Sequence, residues 1–272
     1  MEEKEIAEKV EETEKIEAAE TEIKAADTNI ISEKERLLHD KKMWNDFEKF
    51  KRGTYCNMID STFLKQVYTE QDIKTLCQDA EKYSFKTVCV FPTLINLCKR
   101  NLRTVKVATV VGFPFGEEAL KVKLYQTKVA VRLGADEIDM VACISAIKQG
   151  DYRYVRNEVY RIVRAAKRRP VKVIIETSFL DQKQIEKVSA AVMAAGAAYV
   201  KTSTGMFGEG ATVANIKLIK SVVGDKCKIK ASGGIRTADD LITMAEAGAD
   251  RIGTSAAAEI AKQLYEKFPI EN

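Results

Sequence analysis

The sequence predicts an α/β fold, a (β/α)8 (TIM) barrel preceded by an N-terminal helical extension. Eight short runs rich in β-branched residues alternate with segments of helical periodicity between residues 57 and 255. Charged residues that are unusual in strands fall near the carboxyl ends of four runs; they are Asp60, Asp139, Lys201 and Lys230. The main alternative is a doubly wound open sheet, but a closed barrel brings those ends to one mouth, where active sites of this fold are built.

The predicted strands recur along the chain with helical segments between them. In order, they cover residues 57–60, 87–91, 105–112, 136–142, 171–177, 197–202, 227–231 and 250–255. Amphipathic helices are predicted between strands, for instance from Glu118 to Leu133 and from Gln182 to Ala195. With 272 residues, 46% of them hydrophobic, the chain can bury a substantial core.

A change in composition near residue 50 predicts a domain boundary. Residues 1–50 are expected to form an acidic helical extension and residues 51–272 the barrel domain. Residues 1–32 hold 11 acidic and 4 basic side chains, and their isoleucines follow a heptad pattern for about two repeats. We therefore interpret this stretch as a solvated helical tail in preference to a coiled coil.

A second helix is predicted over residues 33–50. Ser32 and Glu35 have the spacing of a capping box, which would start it. One side of this helix would carry Leu37, Trp44 and Phe47. We expect that side to pack against the barrel domain.

Composition argues against membrane and nucleic-acid functions. No apolar run approaches the roughly 20 residues that a membrane helix needs, and the first residues lack an apolar signal core, so a cytoplasmic protein is expected. The formal net charge is +4, but the basic residues are spread along the chain. The sharpest basic cluster, Arg161 to Arg169, is interpreted as a solvated helix face, so no nucleic-acid partner is expected.

The distribution of histidine and cysteine does not predict a metal site or a cofactor. His39 is the only histidine, and it lies in the extension. The six cysteines occur without a CxxC motif, so they are interpreted as small buried hydrophobic residues. We expect no metal ligand set and no cofactor.

Two lysines at strand ends are the candidate reactive groups. Lys201 ends the apolar run AAYVK and is followed at once by turn residues, and Lys230 has the same placement in CKIKASGG. An ammonium taken out of water is costly, and a lowered pKa leaves a neutral amine that can attack a carbonyl. The pair therefore suggests that one amine changes the pKa of the other.

A carboxylate and a third lysine accompany this pair. Asp139 lies between Ile138 and Met140, so it would face the barrel interior and transfer protons, unless it only pairs with an internal lysine. Lys172 lies near the start of its strand, away from the expected mouth. It is interpreted either as a buried ion-pair partner or as part of the site.

Two glycine-containing turns predict a phosphate site. SGGIRT supplies Gly233 and Gly234 after the seventh strand, and RIGTSA supplies Gly253 and Ser255 after the eighth. Backbone N–H groups in such turns can approach an anion near a helix N-terminus, and barrels often hold phosphate in these two loops.

Taken together, these motifs resemble those of the deoxyribose-phosphate aldolase family. From about Ile59 to Ser255 the chain carries, in the family's order and spacing, IDSTFLK, VCVFP, VVGFPFG, EIDMV, VKVIIET, YVKTSTG, KASGGIRT and RIGTS. The resemblance implies a class I aldolase that has a TIM barrel and needs no metal. It would cleave 2-deoxy-D-ribose 5-phosphate reversibly into acetaldehyde and D-glyceraldehyde 3-phosphate, so its partners would be a small phosphorylated sugar and acetaldehyde.

The resemblance also implies residue roles. Lys201 would be the Schiff-base lysine, Lys230 the neighbour that lowers its pKa, and Asp139 the proton-relay acid. The residues expected to bind substrate are Asp60, Thr62, Cys89, Lys172 and Thr202. The residues expected to bind phosphate are Gly205, Gly233, Gly234, Arg236, Gly253 and Ser255. A homo-oligomer is left open.

Several positions depart from the family pattern. Many relatives have histidine where Ser61 stands and asparagine where Phe91 stands, which bears on substrate contacts rather than on imine chemistry. The C-terminal sequence YEKFPIEN lacks the terminal tyrosine that some members use in proton transfer, and Tyr265 is too far back to take that role. Two alternatives remain: a Schiff-base barrel aldolase for another phosphosugar, and a non-catalytic barrel whose helical extension recruits a partner.

Overall fold

The structure is a computed structural model that describes residues 35–270. The acidic tail predicted over residues 1–32 lies outside this range. Contacts divide the chain into a large unit, Lys51–Phe268, and a smaller one that includes the described residues 35–50 and 269–270.

The large unit is a closed barrel of eight parallel strands, so the predicted (β/α)8 fold is confirmed. The strands are β1 Ile59–Phe63, β2 Thr87–Val90, β3 Lys106–Val111, β4 Glu137–Val141, β5 Val171–Ile174, β6 Tyr199–Lys201, β7 Lys228–Ser232 and β8 Arg251–Thr254. Each strand pairs with its neighbours in the chain, and β1 closes the barrel by pairing with β8.

Helices follow the strands and cover the outside of the barrel. After a first helix over residues 35–56, labelled α1, they are α2 Glu70–Lys82, α3 Ile95–Asn101, α4 Leu120–Arg132, α5 Ile144–Lys148, α6 Tyr152–Ala165, α7 Gln182–Ala194, α8 Val213–Val223, α9 Ala238–Glu246 and α10 Ala257–Lys267. One face of each helix from α2 to α10 contributes buried side chains, as the 3.6-residue period of the sequence predicts.

The fifth strand ends earlier than the sequence predicts. We expected it to run to residue 177, but β5 ends at Ile174. Glu176 adopts a left-handed backbone with φ of 53°, and a 3₁₀ turn covers Thr177–Phe179. Such a conformation is uncommon for a residue with a Cβ atom, and hydrophobic periodicity does not reveal it.

Inward-facing side chains fill the barrel in layers drawn from alternate strands. The first layer, at the strand starts, contains Thr87, Glu137, Tyr199 and Arg251. The second layer contains Asp60, Ala108, Lys172 and Lys230. The third layer, below the mouth, contains Cys89, Asp139, Lys201 and Gly253. All of these residues are buried, so the barrel core is largely ionic.

The helix over residues 35–50 exposes its large apolar side chains. Leu37, Trp44 and Phe47 are 63%, 56% and 48% exposed, and the packing of this side against the barrel domain stays a prediction. Trp44 and Phe47 lie 6.3 Å apart between ring centroids.

None of the helices in the described range 35–270 has the length and apolar composition needed to cross a membrane.

A buried ion pair outside the barrel fixes the end of β4. Lys123 on α4 lies 2.7 Å from Glu158 on α6, and neither side chain is exposed. The Lys123 ammonium also donates to the Val141 carbonyl at 2.9 Å, and Glu158 accepts the Cys143 N–H at 3.0 Å. The pair therefore holds the segment that follows Asp139.

Replacing Lys123 with methionine should lower the free energy of unfolding by about 3–5 kcal/mol, because Glu158 is left buried without its cation. Urea denaturation measures the change. Lys74→Met is the matched control, since Lys74 pairs with Glu70 at 2.9 Å on the surface and should cost about 0–1 kcal/mol. Equal losses in the two variants would contradict the assignment.

Candidate active site

A cavity of about 270 Å³ opens at the mouth of the barrel. Loops after β1, β6, β7 and β8 form it. It is lined by Thr62, Leu64, Lys65, Lys201, Thr204, Gly205, Met206, Ser232, Gly233, Gly234, Ile235, Arg236, Gly253, Thr254 and Ser255. Lys201, the last residue of β6, is only 3% exposed, so its amine meets the cavity while most of its side chain is buried.

Asp139 connects the interior lysines. Its Oδ2 atom lies 2.9 Å from Lys201 Nζ and 2.8 Å from Lys230 Nζ. Its Oδ1 atom lies 2.7 Å from Lys172 Nζ. One carboxylate thus touches three amines, and a proton can pass between Lys201 and Lys230 over a single oxygen atom.

Lys201 is the amine whose environment favours the neutral form. Burial lowers the pKa of Lys201, and the nearby Lys230 ammonium lowers it further. The Asp139 carboxylate acts to raise the pKa of Lys201, but the pKa remains below its ordinary value. The amine that lines the cavity is therefore a better nucleophile than an ordinary lysine.

The other two lysines remain charged because each has more carboxylate partners. Burial acts to lower their pKa values, but Asp139 and Asp60 raise the pKa of both Lys172 and Lys230. Lys172 also lies 2.6 Å from Glu137 Oε2. Burial acts to raise the pKa of Asp139, but the three lysines hold it well below its usual range.

The residues expected to bind phosphate all reach the cavity. Gly205, Gly233, Gly234, Arg236, Gly253 and Ser255 all line it. The helix α10 begins two residues after Ser255 and has no side-chain cap, whereas Thr237 and Asp240 form a capping box on α9. The first N–H groups of α10 are therefore available to an anion.

Two loops meet backbone to backbone beside this region. A Cβ atom on Gly210 would lie 2.2 Å from the carbonyl group of Gly233, so only glycine fits. The Ala211 N–H donates to the Gly233 carbonyl at 3.1 Å. The sequence interpretation did not anticipate Gly210, which joins the loops after β6 and β7 into one wall of the cavity.

Four residues expected to bind substrate do not line the cavity. They are Asp60, Cys89, Lys172 and Thr202. Asp60 and Lys172 belong to the second layer, where their partners are other interior charges. The Thr202 hydroxyl accepts the Ser232 N–H at 3.1 Å and donates to the Ser232 carbonyl at 3.0 Å, which ties β6 to β7.

Cys89 faces the interior from β2. It is fully buried in a small apolar cluster with Ala108 and Val110. Burial, together with the Asp139 carboxylate, raises the pKa of its thiol to about 11. Cys89 therefore stays an uncharged thiol beside the ionic core.

The sequence interpretation missed Lys65 and Glu176. Lys65 lines the cavity just beyond β1, and it adds a second cation to Arg236. Glu176 is 1% exposed; its carboxylate accepts the Thr204 N–H at 3.1 Å and also the Thr204 hydroxyl. It thus anchors the loop that follows Lys201. In the sequence, each of the two is a charged residue just past an apolar run, and this placement could have marked both as candidates.

Within residues 35–270, no group of three or more His, Cys, Asp or Glu side chains is arranged to hold a metal ion.

Comparison with known proteins identifies the family. The model of the DeoC/LacD family aldolases matches residues 54–259, which include all eight strands. The chain belongs to this family. The resemblance drawn from the motifs is confirmed, and the barrel is that of a carbon–carbon lyase of the aldolase type.

Relatives of this aldolase match over almost their whole length. The deoxyribose-phosphate aldolase of Caldicellulosiruptor saccharolyticus is 52% identical over 213 residues, 76% of this chain and 97% of the relative. That of Acholeplasma laidlawii is 48% identical over 214 residues, 78% and 95% of the two chains.

Solved structures of aldolases agree in fold. The aldolase QR15 superposes with a TM-score of 0.76 at 39% identity, covering 78% of this chain and 96% of QR15. The tetrameric deoxyribose phosphate aldolase of Aeropyrum pernix has a TM-score of 0.73 at 32% identity, covering 84% and 97%.

Positions that depart from the family pattern lie around the site rather than in its ionic core. Phe91 packs against Phe113 with ring centroids 6.2 Å apart, next to the apolar cluster that contains Cys89. Ser61 falls between the inward-facing Asp60 and Thr62, so it faces the surrounding helices. Tyr265 packs against Tyr83 at 5.6 Å and does not line the cavity.

Proposed function

We propose that this aldolase reversibly cleaves 2-deoxy-D-ribose 5-phosphate into acetaldehyde and D-glyceraldehyde 3-phosphate through a Schiff base on Lys201. One observation carries the proposal: of the three clustered lysines, Lys201 alone lines the cavity, and its pKa is lowered. The choice of substrate is supported by relatives named deoxyribose-phosphate aldolase and by the cavity's anion-binding features.

The covalent steps follow from a neutral amine at Lys201. Its nitrogen attacks the aldehyde carbon of the open-chain sugar to give a carbinolamine, which loses water to form an iminium ion. The iminium accepts the electron pair of the bond between the second and third carbons as that bond breaks and the hydroxyl on the third carbon loses its proton. Glyceraldehyde 3-phosphate leaves, and the remaining enamine is protonated and hydrolysed to acetaldehyde and free Lys201.

Asp139 and Lys230 are proposed to move the protons. Carbinolamine dehydration needs an acid, and enamine formation and protonation need a group that accepts and returns a proton. Asp139 Oδ2 contacts both amines, at 2.9 Å for Lys201 and 2.8 Å for Lys230. Lys230 can therefore supply a proton through this carboxylate or through a water molecule and recover it later.

The phosphate group is proposed to bind at the turns after β7 and β8. Arg236 and Lys65 supply positive charge at the cavity, and the first N–H groups of α10 supply the donors of a helix N-terminus. Binding energy from this remote group aligns the aldehyde carbon with Lys201.

The test is product formation from matched sugars. Cleavage of 2-deoxyribose 5-phosphate should release acetaldehyde and glyceraldehyde 3-phosphate in equal amounts, and kcat/KM for unphosphorylated 2-deoxyribose should be at least about 10²-fold lower. Turnover should survive prolonged EDTA treatment, because the proposed steps use no metal. Faster cleavage of another phosphosugar, or activity that EDTA removes and only a metal restores, would contradict the proposal.

We also propose that the chain acts in the cytoplasm as a homo-oligomer. The tetrameric relative from Aeropyrum pernix supports the assembly. Light scattering coupled to size-exclusion chromatography tests it, and a monomer at assay concentration would contradict it.

Substitution of Gly253 by alanine should reduce turnover more than stability. A Cβ atom there would lie 2.8 Å from Lys230 Cε and 3.0 Å from Ser232 Cβ, so Lys230 must move away from Asp139. We expect kcat to fall about 10²-fold, with about 1–3 kcal/mol lost in the free energy of unfolding. Gly53→Ala is the control, because no atom of the described residues outside its own stretch of helix lies within 4 Å of its added carbon. Unchanged kcat in Gly253→Ala would contradict the steric argument.

A further inference from the structure

The first layer of the barrel contains charges to which the proposed reaction gives no role. Glu137 and Arg251 are each 3% exposed, and Tyr199 is 7% exposed. Arg251 Nη2 lies 3.3 Å from Glu137 Oε1 and donates to the Tyr199 hydroxyl at 3.2 Å. Arg251 Nη1 contacts Asp60, which in turn contacts Lys230. These charges lie at the opposite end of the barrel from the cavity.

The charges in the three layers of the barrel balance only if Lys201 is neutral. The carboxylates of the barrel interior are Asp60, Glu137 and Asp139. Their cationic partners are Lys172, Lys230 and Arg251, and every contact among these six residues joins opposite charges. Lys201 is the remaining cation. An ionic set sealed from water is strongly disfavoured when it carries net charge, so the surplus proton leaves the lysine that is nearest to solvent.

We propose that Arg251 and Glu137 are positioning residues that fix the protonation state of Lys201 from the first layer, without touching the substrate. The inference rests on the proposed Schiff-base function. The positive charge of Arg251 balances the negative charges of Asp60 and Glu137. Without it, these carboxylates would stabilise the protonated form of Lys201. Glu137 acts on Lys201 in the opposite sense to Arg251. Its Oε2 atom lies 2.6 Å from Lys172 Nζ and balances the positive charge of that lysine.

Other titratable groups also lie around Lys201. Cys89 on β2 is an uncharged thiol, because burial raises its pKa to about 11. Glu176, after β5, is a buried carboxyl group outside the three layers; burial raises its pKa, whereas the Thr204 donors and Lys201 act to lower it. The facing groups on β1, β4 and β7 are Asp60, Asp139 and Lys230.

Changing one first-layer charge should move the acid limb of the pH profile in a direction fixed by its sign. Arg251→Met leaves a surplus carboxylate, so Lys201 retains its proton and the acid limb of kcat/KM moves to higher pH. Glu137→Gln leaves a surplus cation, so the limb moves to lower pH. Through an effective dielectric constant of ~20, a unit charge two layers away shifts the limb by about one pH unit.

The experiment records kcat/KM against pH, together with covalent trapping by acetaldehyde and sodium cyanoborohydride, in which hydride reduces the iminium to a secondary amine. Arg251→Met and Glu137→Gln should shift the limb in opposite directions. The double variant and Arg251→Lys should lie close to the unmodified protein, because each restores the charge balance. Circular dichroism verifies folding.

Each outcome bears on one claim. Coincident limbs in Glu137→Gln and the unmodified protein, or a shift of Glu137→Gln to higher pH, would overturn the inference even if Arg251→Met does not fold. If the unmodified protein traps no acetaldehyde on Lys201, the proposed function fails instead. Normal trapping with unshifted limbs leaves the function intact and rejects only the role of the first layer.

Discussion

Replacing Lys201 with leucine is expected to abolish both covalent trapping and turnover. Leucine fills a similar volume but removes the nitrogen that attacks the aldehyde, and a reaction that proceeds through that nitrogen should slow by about 10⁴-fold or more. The measurement is release of glyceraldehyde 3-phosphate from 2-deoxyribose 5-phosphate under saturating conditions.

Two variants make this result specific. Lys228→Leu is the matched control, because Lys228 begins β7 on the exposed surface and should leave kcat unchanged. Lys230→Leu should retain some trapping, since the nucleophile is intact, although Lys201 loses the cation that lowers its pKa. Residual turnover of more than about 1% in Lys201→Leu would contradict the role of Lys201 as the nucleophile.

Replacing Asp139 with asparagine is expected to have the second largest effect. The amide cannot accept and return the protons of the imine steps, so kcat should fall by about 10²- to 10⁴-fold. It also leaves Lys172, Lys201 and Lys230 buried around a neutral group, which should lower the free energy of unfolding by about 3–5 kcal/mol. Stopped-flow measurement of imine formation and urea denaturation separate the two effects.

The control for Asp139→Asn is the same substitution at Asp225. This residue pairs with Lys220 at 3.0 Å on the surface, so its loss should cost about 0–1 kcal/mol and leave kcat unchanged. Imine formation that stays slow at a temperature where the Asp139→Asn protein is folded indicates a defect in proton transfer. Full activity in a folded Asp139→Asn protein would exclude the proposed relay.

The strand pattern and the strand-end residues were enough to predict the barrel and its mouth. Alternation within a run puts Asp139 and Lys201 on the inner face, and the closure of the barrel brings them together, as the 2.9 Å contact shows. Gly233 follows β7 as expected, whereas Gly253, expected in a turn after strand eight, lies within β8; both line the cavity.

The depth of each charge could not be predicted from its position along a strand. Lys172 starts near the bottom of β5, but its long side chain reaches both the first and the third layer, so its amine contacts Glu137 and Asp139 at once. A contact between Lys172 and substrate requires its side chain to point towards the cavity. Its amine lies among carboxylates instead.

The sequence also did not predict the backbone conformation of Glu176 or the solvent exposure of the helix over residues 35–50. The left-handed backbone of Glu176 ends β5 early and turns a strand residue into the anchor of the Thr204 loop. Apolar spacing in residues 35–50 predicts a helix face but not what covers it, and Trp44 remains 56% exposed. Hydrophobic periodicity carries no information about either property.

The most direct test of the central claim is the location of the covalent adduct. The unmodified protein is incubated with acetaldehyde and sodium borohydride, digested, and mapped by mass spectrometry. We expect a single reduced two-carbon adduct on the peptide that contains Lys201, and none on Lys172 or Lys230, whose pKa values are raised by their carboxylate partners. An adduct on Lys230 would contradict the account, because the nucleophile and its tuning neighbour would then have exchanged roles.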